Sequence, residues 1–159
     1  MFKIIDEYLE IKDHLILKTL MESNTFPWFF MDKKVSTSSD IFNFQLFHIF
    51  YKDNEINSNF YNNLKPLIDK LNPRTLVRIK ANLNPLSHKL IKYNSHKDQD
   101  FECKVAIYYL NTNNGYTMLE DKKVESKANR MILFDSSVSH YGTNSTNCPN
   151  RTVINFNYF

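Results

Sequence analysis

The sequence predicts a mainly β chain of the α+β class, with an N-terminal helical layer laid on a compact antiparallel sandwich or barrel. Three observations carry this. Apolar residues recur near helical spacing in two N-terminal stretches, 2–22 and 57–71. From residue 75 onward, short β-prone runs alternate with turns at near-regular intervals. The chain holds only 2 Gly and 5 Pro, so Asn, abundant in "NSNFYNN" and "NTNNG", takes over turn positions, since it tolerates left-handed backbone angles.

In chain order, Ile5, Tyr8 and Leu9, then Leu15, Leu17, Leu20 and Met21, predict one or two amphipathic helices over 2–22. In "NTFPWFFM", Pro27 blocks a helix and Trp28, Phe29 and Phe30 favour an extended strand. "STSSD" at 36–40 reads as a loop and "FNFQLFHIFY" at 42–51 as a strand. "NSNFYNNLKPLIDKL" returns to helical spacing through Phe60, Leu64, Leu67, Ile68 and Leu71, with Pro66 marking a helix start or a kink. Six strands follow: "TLVRIKANL", "KVAIYYLN", "GYTMLED", "KKVES", "NRMILFD" and "RTVINFNYF". At 159 residues, 42% hydrophobic and 14% aromatic, the chain suits one domain with a sizeable core. We read residues 1–74 as helical and β support for a core at 75–159.

Charge and cysteine usage exclude several roles. A net charge of +3 with no dense Lys/Arg cluster argues against a nucleic-acid arm. Cys103 and Cys148 can make at most one bridge and fit a reducing compartment. Neither has an evident base partner in sequence, so neither reads as a nucleophile. Asn144-Ser145-Thr146 and Asn150-Arg151-Thr152 match the glycosylation pattern, which an Asn-rich chain produces by chance. Asp6, Glu7 and Glu10 rule out a signal peptide or membrane span at the N-terminus. The expected location is cytoplasmic, the host cytoplasm if the source is viral.

"YNSHKDQD" raises a sharper possibility. On a strand, residues i and i+2 share a face, so His96 and Asp98 point the same way. With 5 His and 17 acids, such a pair arises by chance, and context must decide. A third donor is offered by His140, just beyond the apolar run "NRMILFD". Two His and one carboxylate on one face of an octahedron bind ferrous iron and leave positions open. On the last strand, Arg151, Val153, Asn155 and Asn157 share one face, and Thr152, Ile154, Phe156 and Tyr158 the other. This pattern fits a site-lining face backed by a packing face. Arg78, Lys80 and Asn82 likewise share a face in "RIKAN".

The ordered set His96-x-Asp98, "IYYLN", "NRMILFD", His140, and Arg151 opening a final strand that ends "NYF" resembles the iron(II)- and 2-oxoglutarate-dependent dioxygenases, in particular the prolyl 4-hydroxylase-like branch. The resemblance covers roughly 76–159, and the upstream segments look like those of small phage-type members. It implies a double-stranded β-helix, a cupin-like jelly roll, with helices packed on one sheet. It implies Fe(II) held by His96, Asp98 and His140, and 2-oxoglutarate whose distal carboxylate meets Arg151, with Tyr109 assisting. Asn155, on the Arg151 face, is assigned to the cosubstrate with them. Lys80 falls where hypoxia-type relatives keep a Tyr near the cosubstrate. The implied reaction uses O2, converts 2-oxoglutarate to succinate and CO2, and hydroxylates a substrate, with ascorbate as an accessory reductant. Related halogenases replace the acid by a small residue, so Asp98 favours hydroxylation. Gly115 alone stands where many relatives have Gly-Gly.

Blander readings stand beside these. His96 could bond Asp100 in a loop, His140 could be a satisfied turn residue, and Arg151 could pair with Asp135 on the surface. His48 reads as core, Tyr108 and Phe101 as packing, and His14 and His88 lie outside the site. The expected substrate is a protein or peptide side chain, with no membrane and no nucleic acid as partner and the oligomeric state open. Alternatives are a jelly-roll binding module with a vestigial metal site and an oxidative nucleic-acid demethylase.

Overall fold

The computed structural model describes residues 2–32 and 44–159. Its strands are β1 (Lys3–Ile5), β2 (Phe29–Met31), β3 (Gln45–Lys52), β4 (Glu55–Ile56), β5 (Leu76–Pro85), β6 (Lys104–Tyr109), β7 (Tyr116–Leu119), β8 (Lys122–Glu125), β9 (Arg130–Asp135), β10 (His140–Gly142) and β11 (Asn150–Tyr158). Helices are α1 (Ile11–Met21) and α2 (Lys65–Leu71), the latter entered through a 3-10 turn at Tyr61–Leu64. An eight-stranded antiparallel sheet runs β1-β9-β6-β11-β5-β3-β2, with β4 added on β3. A second sheet runs β10-β7-β8. The backbone bridges Lys92–Thr143 and His96–His140 lay residues 92–96 along its free edge.

The period-2 pattern of the large sheet gives it two apolar faces. Ile79, Ala81, Ala106, Tyr108, Met131, Ile154 and Phe156 form the outer core with Leu17 and Met21 of α1 and Leu67 of α2. The helices therefore pack on one sheet, as expected. Val105, Ile107, Tyr109, Ile132, Phe134 and Val153 point the other way and meet Leu119 and Val124 of the small sheet. The candidate site lies at the open end of this inner layer.

Several expectations need correction. The segment 2–10 is not helical. Lys3–Ile5 pairs with Leu133–Met131 at the sheet edge, and Glu7 takes φ 53, which a right-handed helix cannot accommodate. Asp6 is drawn to Arg130 and Lys127 instead. Within α1, Leu15 is exposed and His14 takes the buried place. The helix is apolar on most sides, so spacing alone could not select its inner face. Pro66 sits in the first turn of α2, where its missing N–H costs nothing. Asn72 closes that helix at φ 50, returning its N–H to Ile68 at 2.9 Å. Phe101, read as packing, stacks on Phe159 at the surface and is 48% exposed. Asn144 is buried. The loop expected at 36–40, and the first two residues of the strand expected at 42–51, lie outside the described residues.

Two buried histidines tie the support to the sheet. Tyr108 donates to Asn129 Oδ1 at 2.9 Å, so His14 Nδ1 donates to the Tyr108 hydroxyl at 2.7 Å. Asn129, at φ 61, also accepts from Leu9 N and donates to Leu9 O. His48 donates from Nδ1 to the Pro27 carbonyl and accepts at Nε2 from Ser58, both at 2.7 Å. Burial holds both imidazoles below the usual 6.5 and so favours their neutral forms; Lys18 adds to this for His14, while the Pro27 carbonyl opposes it for His48. Groups with lowered folded values contribute stability that is complete above about 6.5 and is lost as pH falls through those values. The urea midpoint of metal-free protein should therefore drop between pH 7.5 and pH 5; an unchanged midpoint would contradict the two neutral imidazoles.

Candidate active site

His96 and Asp98 come from the connection between β5 and β6, and His140 from the first residue of β10. The stretch around His96 is not a regular strand. His96 and His140 instead exchange backbone hydrogen bonds, N to O at 2.9 and 3.0 Å, so the two histidines are opposite partners across one bridge. Their rings lie 4.7 Å apart. Each Nδ1 faces a backbone carbonyl, Asn94 O at 3.2 Å for His96 and Val138 O at 3.3 Å for His140. Only an N–H can bond a carbonyl, so each Nδ1 serves the backbone and each Nε2 is the ring atom turned to the site. Both Nε2 atoms turn to one carboxylate: His96 Nε2 lies 3.8 Å from Asp98 Oδ1 and His140 Nε2 3.9 Å from Oδ2. One donor atom from each residue falls within 4.8 Å of the others.

Asp98 is held from below. Its side chain is 4% exposed. Asn155 Nδ2 donates to Oδ2 at 2.9 Å and Asn157 Nδ2 at 3.3 Å, while Arg78 lies 3.4 Å from Oδ1. Burial alone raises the Asp98 pKa and is the largest single influence. His140, the Asn155 hydrogen bond, Arg78 and His96 together outweigh it and keep the carboxyl below its ordinary 3.8. One carboxylate and two imidazole Nε2 atoms gathered this closely form a donor set suited to a divalent metal, which would take the place of the imidazole protons. Asn155, assigned to the cosubstrate in the sequence, is bonded to Asp98.

Arg151 lies deeper, 2% exposed. It donates from Nε to Ser126 Oγ at 2.7 Å, from one amino group to Thr143 O at 3.3 Å, and from the other to Thr117 Oγ1 at 2.8 Å. The guanidinium also faces the Tyr109 ring at 5.5 Å. Asp135, its suggested surface partner, pairs with Lys104 instead. Among the described residues no carboxylate pairs with Arg151. Burial pushes its pKa down from the usual guanidinium range, with Tyr109 and Tyr93 opposing. A buried guanidinium with neutral partners only is costly unless an anion completes it.

Tyr109 is fully buried and reaches the cavity through Thr117, donating to Oγ1 at 2.7 Å. Thr117 thus accepts from both Tyr109 and Arg151, leaving its own hydroxyl proton for another acceptor. Thr117, Gly142, Arg151 and the three metal-type donors line one cavity of about 510 Å³. Lys80 lines it too, with Nζ 5.2 Å from the Phe47 ring. Its pKa is lowered to about 8, by burial first and then Arg78, with Asp98 opposing, so it remains largely cationic at neutral pH.

Sequence reasoning missed Thr117, Ser126, Thr143 and Gly142. One signal was present: the chain has 2 glycines, and both abut Arg151. A Cβ on Gly142 would lie 3.2 Å from a guanidinium nitrogen, and one on Gly115 would lie 2.5 Å from Arg151 Cδ and 2.4 Å from Asn144 O.

No protein-family model and no curated protein matches this chain. Solved structures do. A prolyl hydroxylase from Trichoplax adhaerens, in complex with a hypoxia inducible factor oxygen degradation domain peptide fragment, aligns with a TM-score of 0.67 at 17% identity, over 99% of this chain and 83% of that one. A 2OG-Fe(II) oxygenase family oxidoreductase from Burkholderia pseudomallei gives 0.66 at 10%, over 99% and 84%. The epimerase SnoN, in complex with Fe3+, alpha ketoglutarate and nogalamycin RO, gives 0.64 at 10%, over 99% and 78%. At these identities the likeness is one of fold: mainly β, few helices, and the jelly roll of the 2-oxoglutarate–Fe(II) oxygenases.

The glycine contacts make a direct prediction. Gly115→Ala should destabilise the fold by roughly 1–3 kcal/mol, the usual cost of overpacking. A melting temperature within a degree of wild type would show that Arg151 and the Asn144 backbone give way freely.

Proposed function

We propose that this chain is an Fe(II)- and 2-oxoglutarate-dependent dioxygenase that hydroxylates a peptide or protein side chain, in the manner of prolyl hydroxylases. The observation that carries the reading is the pairing, in one cavity, of a His-Asp-His donor set with a buried guanidinium that lacks a carboxylate among the described residues. His96, Asp98 and His140 would hold the metal. Arg151, with Thr117 and Tyr109 behind it, would receive the distal carboxylate of 2-oxoglutarate. Iron bound there supplies O2 activation coupled to oxidative decarboxylation of 2-oxoglutarate to succinate and CO2.

The protein's own part is positioning and charge. The carbonyls of Asn94 and Val138 fix the histidine tautomers, and Asn155 and Asn157 fix the carboxylate plane. Arg151 offers a planar fork that matches a carboxylate in two hydrogen bonds. The Thr117 hydroxyl, with both lone pairs engaged, donates to the same anion. Ile107 and Val153 line the cavity nearby and exclude water from the charge pair. The peptide carried by the Trichoplax prolyl hydroxylase, which shares this fold, supports a peptide-type substrate here.

Mn(II) and 2-oxoglutarate should each stabilise the folded chain. At a hundredfold excess over Kd each contributes about 2.7 kcal/mol, roughly 5–10 °C for a chain of this size. His140→Ala should abolish the metal shift. Arg151→Met should keep the metal shift and lose the 2-oxoglutarate shift. With Fe(II), 2-oxoglutarate and ascorbate, wild type should release succinate slowly even without substrate. Absence of both thermal shifts would end the proposal.

A further inference from the structure

The cavity holds more positive charge than a metal and its cosubstrate use. Among its described lining residues, Arg78, Lys80, Lys97 and Arg151 stand against one carboxylate, Asp98. A divalent ion and the two carboxylates of 2-oxoglutarate cancel. Loading therefore leaves an excess of three positive charges, whichever cation each carboxylate meets. A cleft lined by one sign of charge concentrates ligands of the other.

The same wall is polar and unsatisfied. Gln45 Oε1, Asn82 Oδ1, Asn84 Oδ1, Asn155 Oδ1 and Arg78 Nε are the buried side-chain polar atoms without a hydrogen-bond partner among the described residues. All five residues line this cavity. Asn155 is held by its bond to Asp98, but the Asn82 and Asn84 amides can turn over and present either N–H or C=O, so that part of the wall can both donate and accept. An apolar ring pressed against it would leave these groups unpaired.

The ladder separates two anion positions. Arg151 faces Asn84 across β5–β11, whereas Lys80 faces Asn155 and Arg78 faces Asn157. Asn84 and Lys80 are four residues apart on one strand, about 13 Å. An anion at Lys80 and Arg78 is therefore distinct from one gripped at Arg151.

We infer that the primary substrate is acidic: a carboxylate at or beside the carbon to be oxidised meets Lys80 and Arg78, while Asn82 and Asn84 bond its polar neighbours. The inference rests on the dioxygenase reading and narrows its substrate.

The test uses the full chain loaded with Mn(II) and 2-oxoglutarate, and fluorescent, end-blocked hexapeptides on one scaffold carrying two Asp, two Asn or two Lys. Fluorescence anisotropy should show the Asp peptide binding at least tenfold more tightly than the Asn peptide, with the Lys peptide weakest. That advantage should shrink as NaCl rises from 50 to 300 mM. Lys80→Gln should cut it to under threefold, and Lys97→Gln, at an exposed rim position, should halve it or more. Competition by free aspartate without Asp-peptide binding would also support the inference and would place the carboxylate on a small molecule. Three results overturn it: equal or tighter binding of the Asn or Lys peptide, no binding of either acidic probe, or an Asp preference that both variants keep. Thermal shifts with Mn(II) and 2-oxoglutarate are read on the same sample. If they are present while the acid preference is absent, only this inference falls; if they are absent, the dioxygenase reading falls and this one with it.

Discussion

The parity of β11 governs the molecule. This strand is paired on both sides, with β5 and with β6, so its register is fixed twice. Its inward positions bring Arg151, Val153 and Asn155 to the cavity and Asn157 to Asp98, and its outward positions bring Ile154 and Phe156 to the helices. A slip of one residue would exchange the two sets, sending a guanidinium into the aromatic core and a phenyl ring under the metal-type donors. The hydrophobic pattern that closes the fold is thus the same pattern that aims the site. The anion-binding fork and the amides that steady Asp98 sit on one rigid strand, and their spacing comes from β geometry, not from loop conformation.

Asparagine does an unusual share of the structural work. Asn54, Asn72 and Asn129 hold left-handed turns. Asn111, Asn113 and Asn144 hydrogen-bond the loops beside Arg151. An amide side chain that can occupy positive φ and also satisfy backbone groups replaces glycine and an ordered water at once. Glycine is kept for the two places where space, not backbone angle, is limiting, both against Arg151.

How much could be read in advance follows from this. Strands β5, β6, β9 and β11 were legible because alternation and β-branched content agree over six or more residues. His96, Asp98, His140 and Arg151 were legible as an ordered set, since each flanks such a strand. β1 and β10 were not. A three-residue strand has no periodicity to display, and β1 is stabilised by partners more than a hundred residues away, such as Leu133 for Lys3. His14 went unrecognised as core because its partner, Tyr108, is a long-range contact. The same holds for Thr117 and Ser126: hydroxyl residues are common on strands, and only the folded position of Arg151 singles them out. The His-x-Asp argument used the wrong local picture, because His96 sits in a bridge with His140 and Asp98 at a bend, instead of both lying along one pleated face.

The bridge between His96 and His140 has a mechanical corollary. Two reciprocal main-chain hydrogen bonds lock the imidazole carriers into one body, so thermal motion displaces them together and preserves their separation. Asp98 is anchored elsewhere, to the large sheet through β11. The imidazole spacing is thus set by one backbone bridge, and the carboxylate position by two amides of another sheet.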